Sequence, residues 1–376
     1  MAGLLLAACA PIPAPPPAAP PAPPKAVFTP ITFADLPGWG SDNGLGEALA
    51  ALRRSCQVLA KRSDELRQGS SALPNGAKAG DWKAVCRALP VNNDALAARS
   101  FFETRFQPHR VSDGEQEKGL FTGYYEAELK GSRTKMRPGQ VPLLGPPGDL
   151  VEVDLGQFRE EWRDIRISGR IEGGRLRPYS TRAEIEAGKL GDKAPVLAWA
   201  DDAVDAHILH IQGSGRLVLD DGSAIRLGYA ASNGHRFVGL GKILAERGKA
   251  SGSMQDILAW LRANRAEAPA LMAENPRYIF LRTIEGEGPI GAQGVALTPG
   301  RSLAVDPRFI PYGAPLWLDT VEPGGKALRR LVIAQDTGAA ITGVVRGDFF
   351  WGTGEAALAQ AGRMKSPGGY FILLPK

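Results

Sequence analysis

From Gly119 to about Leu227, and again beyond Tyr278, apolar residues come in short runs cut by Gly and Pro. Runs of that kind, bounded by turn signals such as Glu172-Gly173-Gly174 and Asp220-Asp221-Gly222, predict strands. Phe121–Tyr125, Val196–Trp199, Ala206–Ile211 and Arg216–Leu219 all read as strands, interrupted by one helix from Thr181 to Ala187. Elsewhere the apolar spacing is helical. Leu45, Leu49, Leu52, Cys56 and Leu59 form one stripe, and Trp82, Val85, Cys86 and Leu89 form another. A third stripe, Leu96, Ser100, Phe101, Thr104 and Arg105, follows a candidate N-cap at Asn93 or Asp94. Further helices are expected at Gly239–Arg247, near Glu355–Gly362 and at Met254–Ala263, where Ser253 and Asp256 resemble a capping box. The expected fold is therefore mainly β with flanking helices, an α+β chain in which one β-rich unit interrupts another.

The N-terminus ends its apolar run with Leu6-Ala7-Ala8-Cys9, similar to the lipobox at which bacterial lipoproteins are cut and lipidated on the Cys. From about residue 10 to Pro30 the chain is mostly Pro and Ala, which adopts extended polyproline II and suits a tether. No later stretch offers the roughly 18 apolar residues of a membrane span. With Cys9 assigned to lipid, Cys56 and Cys86 remain, each on a buried helical stripe. They are expected either to pair, closing a 30-residue loop in an oxidising compartment, or to stay as core thiols. The net charge of +5 is diffuse and lacks the basic stripes with interleaved aromatics that mark nucleic-acid binding.

Three aspartates stand in strand-and-turn contexts near the C-terminus: Asp306 in AVDPRFIPYG, Asp336 in IAQDTGAA and Asp348 in VVRGDFFWGTG. The apolar flanks of Asp348 predict a desolvated carboxyl with a raised pKa, as a general acid for glycosidic cleavage requires. Sugar grooves also need hydroxyls, amides and flat rings. Thr122-Gly-Tyr-Tyr125, His210–Arg216 (with Gln212, Ser214 and Gly215) and Gly228–Gly234 offer that mixture. Other chemistries fit poorly. Gly213-Ser-Gly215 lacks the Gly-Lys-Ser/Thr ending of a phosphate loop, and no Gly-x-Ser-x-Gly elbow or HExxH zinc motif occurs. His207 and His210, on an expected strand, would point to opposite faces. Asp336-Thr-Gly copies an aspartic-protease turn, but those enzymes need two such aspartates and this chain has one.

Together, Thr122–Tyr125, Tyr179–Arg182, Leu209–Gly215, Gly228–Gly234 and the three aspartate contexts resemble the membrane-bound lytic transglycosylase A family of murein hydrolases, whose C-terminal module is called the 3D domain. The resemblance runs from about Gly119 to Phe371. It implies a double-psi β-barrel at 31–123 plus 236–376, its 3D module at about 290–374, with a smaller β-barrel inserted at 124–235 and the glycan in the groove between them. It further implies cleavage of the β-1,4 bond after N-acetylmuramic acid to leave 1,6-anhydromuramoyl ends, with no metal or cofactor. Asp348 would act as acid and then base, and Asp336 would support it. Thr122, Tyr124, Gln212, Ser214 and Gly215 would bind the glycan with Asp306, whose following Pro307 also suits a structural turn. The implied partners are peptidoglycan strands and, through a lipid anchor to the outer membrane, the periplasm, with other wall-building proteins as further candidates and a monomeric state. A wall-loosening, non-catalytic glycan-binding protein is the competing expectation, since expansin-like proteins share the barrel and an Asp in a similar place.

Overall fold

The computed structural model describes residues 24–162, 165–250, 253–286 and 288–376. Cys9 and most of the Pro/Ala tether lie outside them. The end of the expected tether does not. Residues Ala26–Pro30 form β1, an edge strand paired antiparallel with β2 (Phe106–Asp113) from Ala26↔Asp113 to Pro30↔His109. Val27, Phe28 and Thr29 favour a strand, and Pro30 sits at its end, where a missing N–H costs least. The folded part thus starts by Ala26 and not after Pro30.

Three helices follow β1: α1 (Leu45–Leu59), α2 (Ala79–Arg87) and α3 (Ala95–Arg105). All five residues of the α1 stripe are buried. Cys56 on α1 is joined to Cys86 on α2, with a Cα–Cα distance of 5.4 Å and a separation of 30 residues. Closing a loop of that length contributes about 3–4 kcal/mol on the chain-entropy model. Asp94 is the N-cap of α3, accepting from Ala97 N–H at 2.8 Å. The α3 stripe is rotated from expectation: Leu96 is 81% exposed, whereas Ala98, Phe101 and Phe102 are buried. Phe101 and Phe102 pack on Phe106, and that aromatic cluster sets the rotation.

The remaining strands are β3 (Gly119–Ser132), β4 (Val141–Leu144), β5 (Val151–Asp154), β6 (Arg166–Glu172), β7 (Arg175–Pro178), β8 (Val196–Ala200), β9 (Ser214–Leu219), β10 (Ala224–Ser232), β11 (Ile279–Thr283), β12 (Ser302–Ala304), β13 (Pro315–Val321), β14 (Ala327–Asp336), β15 (Arg346–Thr353) and β16 (Lys365–Pro375). The helices among them are α4 (Arg182–Glu186), α5 (Ala203–Gln212), α6 (Leu240–Glu246), α7 (Met254–Ala263), α8 (Ala268–Ala273) and α9 (Gly354–Ala361). Strands β3, β16, β13, β14, β12 and β15 close a ring in which β12–β14 and β15–β3 are the parallel pairs. Its interior, with Trp317, Phe121 and Phe349, merges with the faces of α1–α3 in one apolar core.

Strand β3 belongs to both units. Residues 120–126 pair with β15, and Ala127–Gly131 pair with β9, so the handover falls within the strand and not at 123/124. The second unit, β4, β8, β3, β9, β10 and β11, also reaches past the expected border at 235, because β11 pairs with β10. This sheet curls around α5, whose Ala206 and Leu209 lie in its core. Ala206–Ile211, expected as a strand, is therefore helical. Asp202 caps it at Val204 N–H, and Gly213, at φ 78°, ends it. A run that is apolar on both sides of a 10-residue segment fits a buried helix as well as a strand. Strands β5–β7 form a separate small antiparallel sheet.

Candidate active site

Asp348 lies in β15, register-paired with Thr122 of β3 on one side and Ala304 of β12 on the other. Thr122 Oγ1 donates to Asp348 Oδ1 at 2.6 Å, and Arg346 Nη2 donates to Thr122 Oγ1 at 2.8 Å. Two residues apart on a strand, Arg346 and Asp348 share a face. Gly123 is fixed by packing and does not serve as a flexible joint: a Cβ there would meet Trp351 Nε1 at 2.6 Å and the Ala361 Cα at 2.8 Å. Only Gly lets β3 approach β15 and α9 this closely, and that approach brings Thr122 to Asp348.

Asp336 ends β14. Its Oδ1 accepts from Ala292 N–H at 2.8 Å and Thr337 N–H at 2.9 Å. The preceding Gln335 is fully buried and donates Nε2–H to Ala51 O and Ser55 Oγ of α1, both at 2.9 Å, while Ser302 Oγ donates to its Oε1 at 2.6 Å. The end of β14 that carries Asp336 is thereby tied to the disulfide-linked helical layer. Tyr124 stacks on Phe350 at 5.1 Å. Its buried hydroxyl makes no hydrogen bond of ordinary geometry, yet burial and then the charges of Asp336 and Asp348 push its pKa well up, which places it near both carboxyls.

Both aspartates keep some solvent access but stand in crowded surroundings. Burial raises the Asp336 pKa to about 6 against the pull of two backbone amides, and the charge of Asp348 adds to the rise. Burial also raises that of Asp348, while the Arg346 charge and the Thr122 hydrogen bond hold it down. The apolar flanks thus act as expected, and the guanidinium two residues before Asp348 opposes them there.

Gln212, at the C-terminal end of α5, accepts from Tyr125 N–H at 3.2 Å, bringing the second unit against β3 next to Tyr124. Ser214 begins β9 beside it. Two of the expected glycan-binding residues are structural in this fold. Gly215 is buried, and a Cβ would strike Leu209 Cδ1 at 2.6 Å and Ala127 O at 2.8 Å. Asp306 is 2% exposed and accepts from Arg308 Nη2 at 2.6 Å and Gly343 N–H at 2.8 Å, so its oxygens are taken. His207 and His210, on a helix and not a strand, are both buried, with His210 Nδ1 3.2 Å from Arg182 Nη1. That cation disfavours a metal, and among the described residues no group of three or more His, Cys, Asp or Glu could hold one.

Sequence reasoning passed over three residues. Arg346 could have been found from the period of two along β15. Burial, and after it the charge of Asp336, push the Tyr312 pKa up, while the charge of Arg166 on β6 pulls it the other way. The Arg166 charge thus reaches Tyr312 from the small sheet, a coupling with no local signal in the sequence. The third is Glu126, fully buried, which pairs with Arg226 Nε of β10 at 2.8 Å and accepts from Thr353 Oγ1 of β15 at 2.8 Å, locking the two units together.

The model of the MltA specific insert domain matches residues 120–282, and that of the 3D domain matches residues 301–374. The chain is 30% identical over 327 residues to membrane-bound lytic murein transglycosylase A of Escherichia coli K12, covering 84% of this chain and 80% of the relative. The crystal structure of a membrane-bound lytic murein transglycosylase from Agrobacterium tumefaciens superposes with a TM-score of 0.80 at 32% identity, covering 93% of this chain and 97% of that one. E. coli MltA with bound chitohexaose superposes with a TM-score of 0.65 at 27% identity, over 94% and 92% of the two chains. No helix among the described residues is long and apolar enough to cross a membrane. The identity and the breadth of these matches agree with the carboxyl pair at the junction of the two units: the chain belongs to the membrane-bound lytic murein transglycosylase A family.

Proposed function

We propose that the protein cleaves the β-1,4 bond between N-acetylmuramic acid and N-acetylglucosamine in peptidoglycan and leaves 1,6-anhydromuramoyl ends, with Asp348 as the one acid and base. The observation that carries this reading is the Arg346–Thr122–Asp348 relay. A guanidinium N–H donating to Thr122 Oγ1 turns the hydroxyl proton toward Asp348 Oδ1. Oδ1 is then an acceptor, and the proton that can be given away sits on Oδ2. That proton goes to the glycosidic oxygen as the bond to muramoyl C1 breaks. The resulting carboxylate, steadied by Arg346, takes the proton of the muramoyl C6 hydroxyl as that oxygen attacks C1. An attack from within the same sugar has an effective molarity on the order of 10⁵ M or more, so neither a water nucleophile nor a second carboxylate is required.

Asp336 and Asp348 act as a coupled pair, each with its pKa raised by burial. Glycan lying over Asp348 removes its remaining water, raises its pKa further and draws the proton to it. An ionised Asp336 then stabilises the oxocarbenium-like charge. Tyr124, Gln212 and Ser214 contact the sugars. E. coli MltA, a relative of the same fold, has been seen with chitohexaose, and this supports a glycan ligand for the groove. We place the enzyme in the periplasm, lipidated on Cys9 and anchored to the outer membrane, with the Pro/Ala run as spacer. Mass spectrometry of peptidoglycan digested by the purified protein tests the reaction: products lighter by one water than hydrolysis products are expected, and fully hydrated ends overturn it.

A further inference from the structure

A hollow of about 470 Å³ opens on the inserted unit, apart from the carboxyl pair. Its walls are β6 at Ile167 and Ser168, β7 at Leu176 and Arg177, and the loop 233–236 that leaves β10. The loop is a firm rim. Buried Asn233 donates from Nδ2 to the carbonyls of Ser180 and Pro276 at 2.9 and 2.8 Å and accepts from Tyr278 N–H at 2.9 Å. Gly234 has φ 78°, and a Cβ there would meet Ser168 O at 2.8 Å, so the loop is pressed directly on β6. His235 Nε2 lies 2.8 Å from Tyr179 O, and a carbonyl can only accept, so that nitrogen carries the hydrogen.

The rim carries positive charge without an answer. Arg177 and Arg236 are exposed, no acidic residue lines the hollow, and among the described residues neither arginine has a carboxylate partner. Their neighbours on β6 do: Arg170 pairs with Glu172 at 2.5 Å and Arg166 with Asp154 at 3.7 Å. Ile167, 41% exposed, gives the same hollow an apolar wall. Two unpaired guanidinium groups beside an apolar wall suit a ligand with carboxylates and short apolar side chains.

We propose that this hollow takes the stem peptide of the peptidoglycan strand while the Asp336–Asp348 floor takes the sugar. The inference rests on the glycan-cleaving reading above. In that polymer the sugars are neutral where the lactyl group is amidated, and the carboxylates hang on the peptide. Ser168 is two residues along β6 from Arg166, about 7 Å on at the strand rise, and the charges of Arg166 and Asp336 both act on Tyr312. A four-residue peptide leaving a muramoyl unit at the floor spans about 13 Å when extended.

The test compares wild type with Arg177→Gln, Arg236→Gln and the double variant, on strands bearing peptides and on strands stripped of them by an amidase. Both arginines are exposed, so folding should be intact, which circular dichroism checks. The double variant should raise KM for peptide-bearing strands about three- to tenfold, with kcat within about twofold and no change on stripped strands. Equal effects on both substrates, or none on either, overturn the proposal. A titration with the free stem tetrapeptide, read from the Ser168 and Gly234 amide resonances, stands apart from the reaction. Shifts that vanish in the double variant support the site, and unmoved resonances refute it whatever products the enzyme makes.

Discussion

At the Asp306 corner, a buried carboxylate is answered from every side: Arg308 reaches both oxygens and Gly343 supplies a backbone N–H. On the floor nearby, Asp336 and Asp348 sit in comparable crowding on the same ring of strands, but each is answered only in part. Among the described residues Asp336 has two amides and no cation, and Asp348 has one hydroxyl and the charge of Arg346, which donates to that same hydroxyl. The difference separates structure from chemistry. Full compensation makes a carboxylate a brace, and incomplete compensation leaves its proton available near neutral pH.

The sharpest way to break the comparison is Asp348→Asn. Turnover should fall by about 10³-fold or more, since one group makes both proton transfers, while binding of glycan fragments persists. A variant keeping a tenth of wild-type activity on purified strands would contradict the assignment. Asp306→Ala should act on stability instead, costing about 1–3 kcal/mol because the Gly343 N–H and Arg308 lose a buried acceptor. Denaturant melts read that loss, and activity per folded molecule should hold.

Arg346→Gln and Asp336→Asn should move the alkaline limb of the pH–rate profile in opposite directions. Removing the Arg346 charge lets the Asp348 pKa rise, so the limb moves to higher pH, and kcat falls about tenfold as Thr122 loses its orientation. In the glycan complex, where the proton sits on Asp348 and Asp336 is ionised, removing the Asp336 charge lowers the Asp348 pKa, and the limb for kcat moves down. Asp336→Asn should also stabilise the protein. The folded-state pKa of about 6 lies above the unfolded value, so the wild-type group loses stability as pH rises through 6. The gain should be about 1–3 kcal/mol at pH 7.5 and vanish below pH ~4, as paired thermal melts would reveal. The smallest effect belongs to truncation before Ala26, which leaves β1 whole and should change neither melting nor activity on soluble strands.

Much of this was legible in the sequence. The α1 and α2 stripes, the Asp94 and Ser253 caps, and the mainly β texture follow from local periodicity. The aspartates stood out because their contexts are local too. Helix α5 was not legible, since Val204, Ala206, Ile208 and Leu209 are all buried in it and leave no clear helical period. The compensation of Asp306 was hidden for a related reason: Gly343 is 37 residues away in the chain. Arg346 was within reach, because strand alternation alone puts it beside Asp348.

The central claim is that burial raises the Asp348 carboxyl, that Arg346 holds it down, and that Asp336, ionised in the glycan complex, pushes it up. Carbon-13 NMR of the aspartate carboxyls, with Asp348 assigned by its loss in Asp348→Asn, measures this directly. The account predicts an Asp348 titration above the ordinary carboxylate range, moving up in Arg346→Gln and, with an uncleaved glycan bound, down in Asp336→Asn. An ordinary titration that neither substitution moves would contradict it.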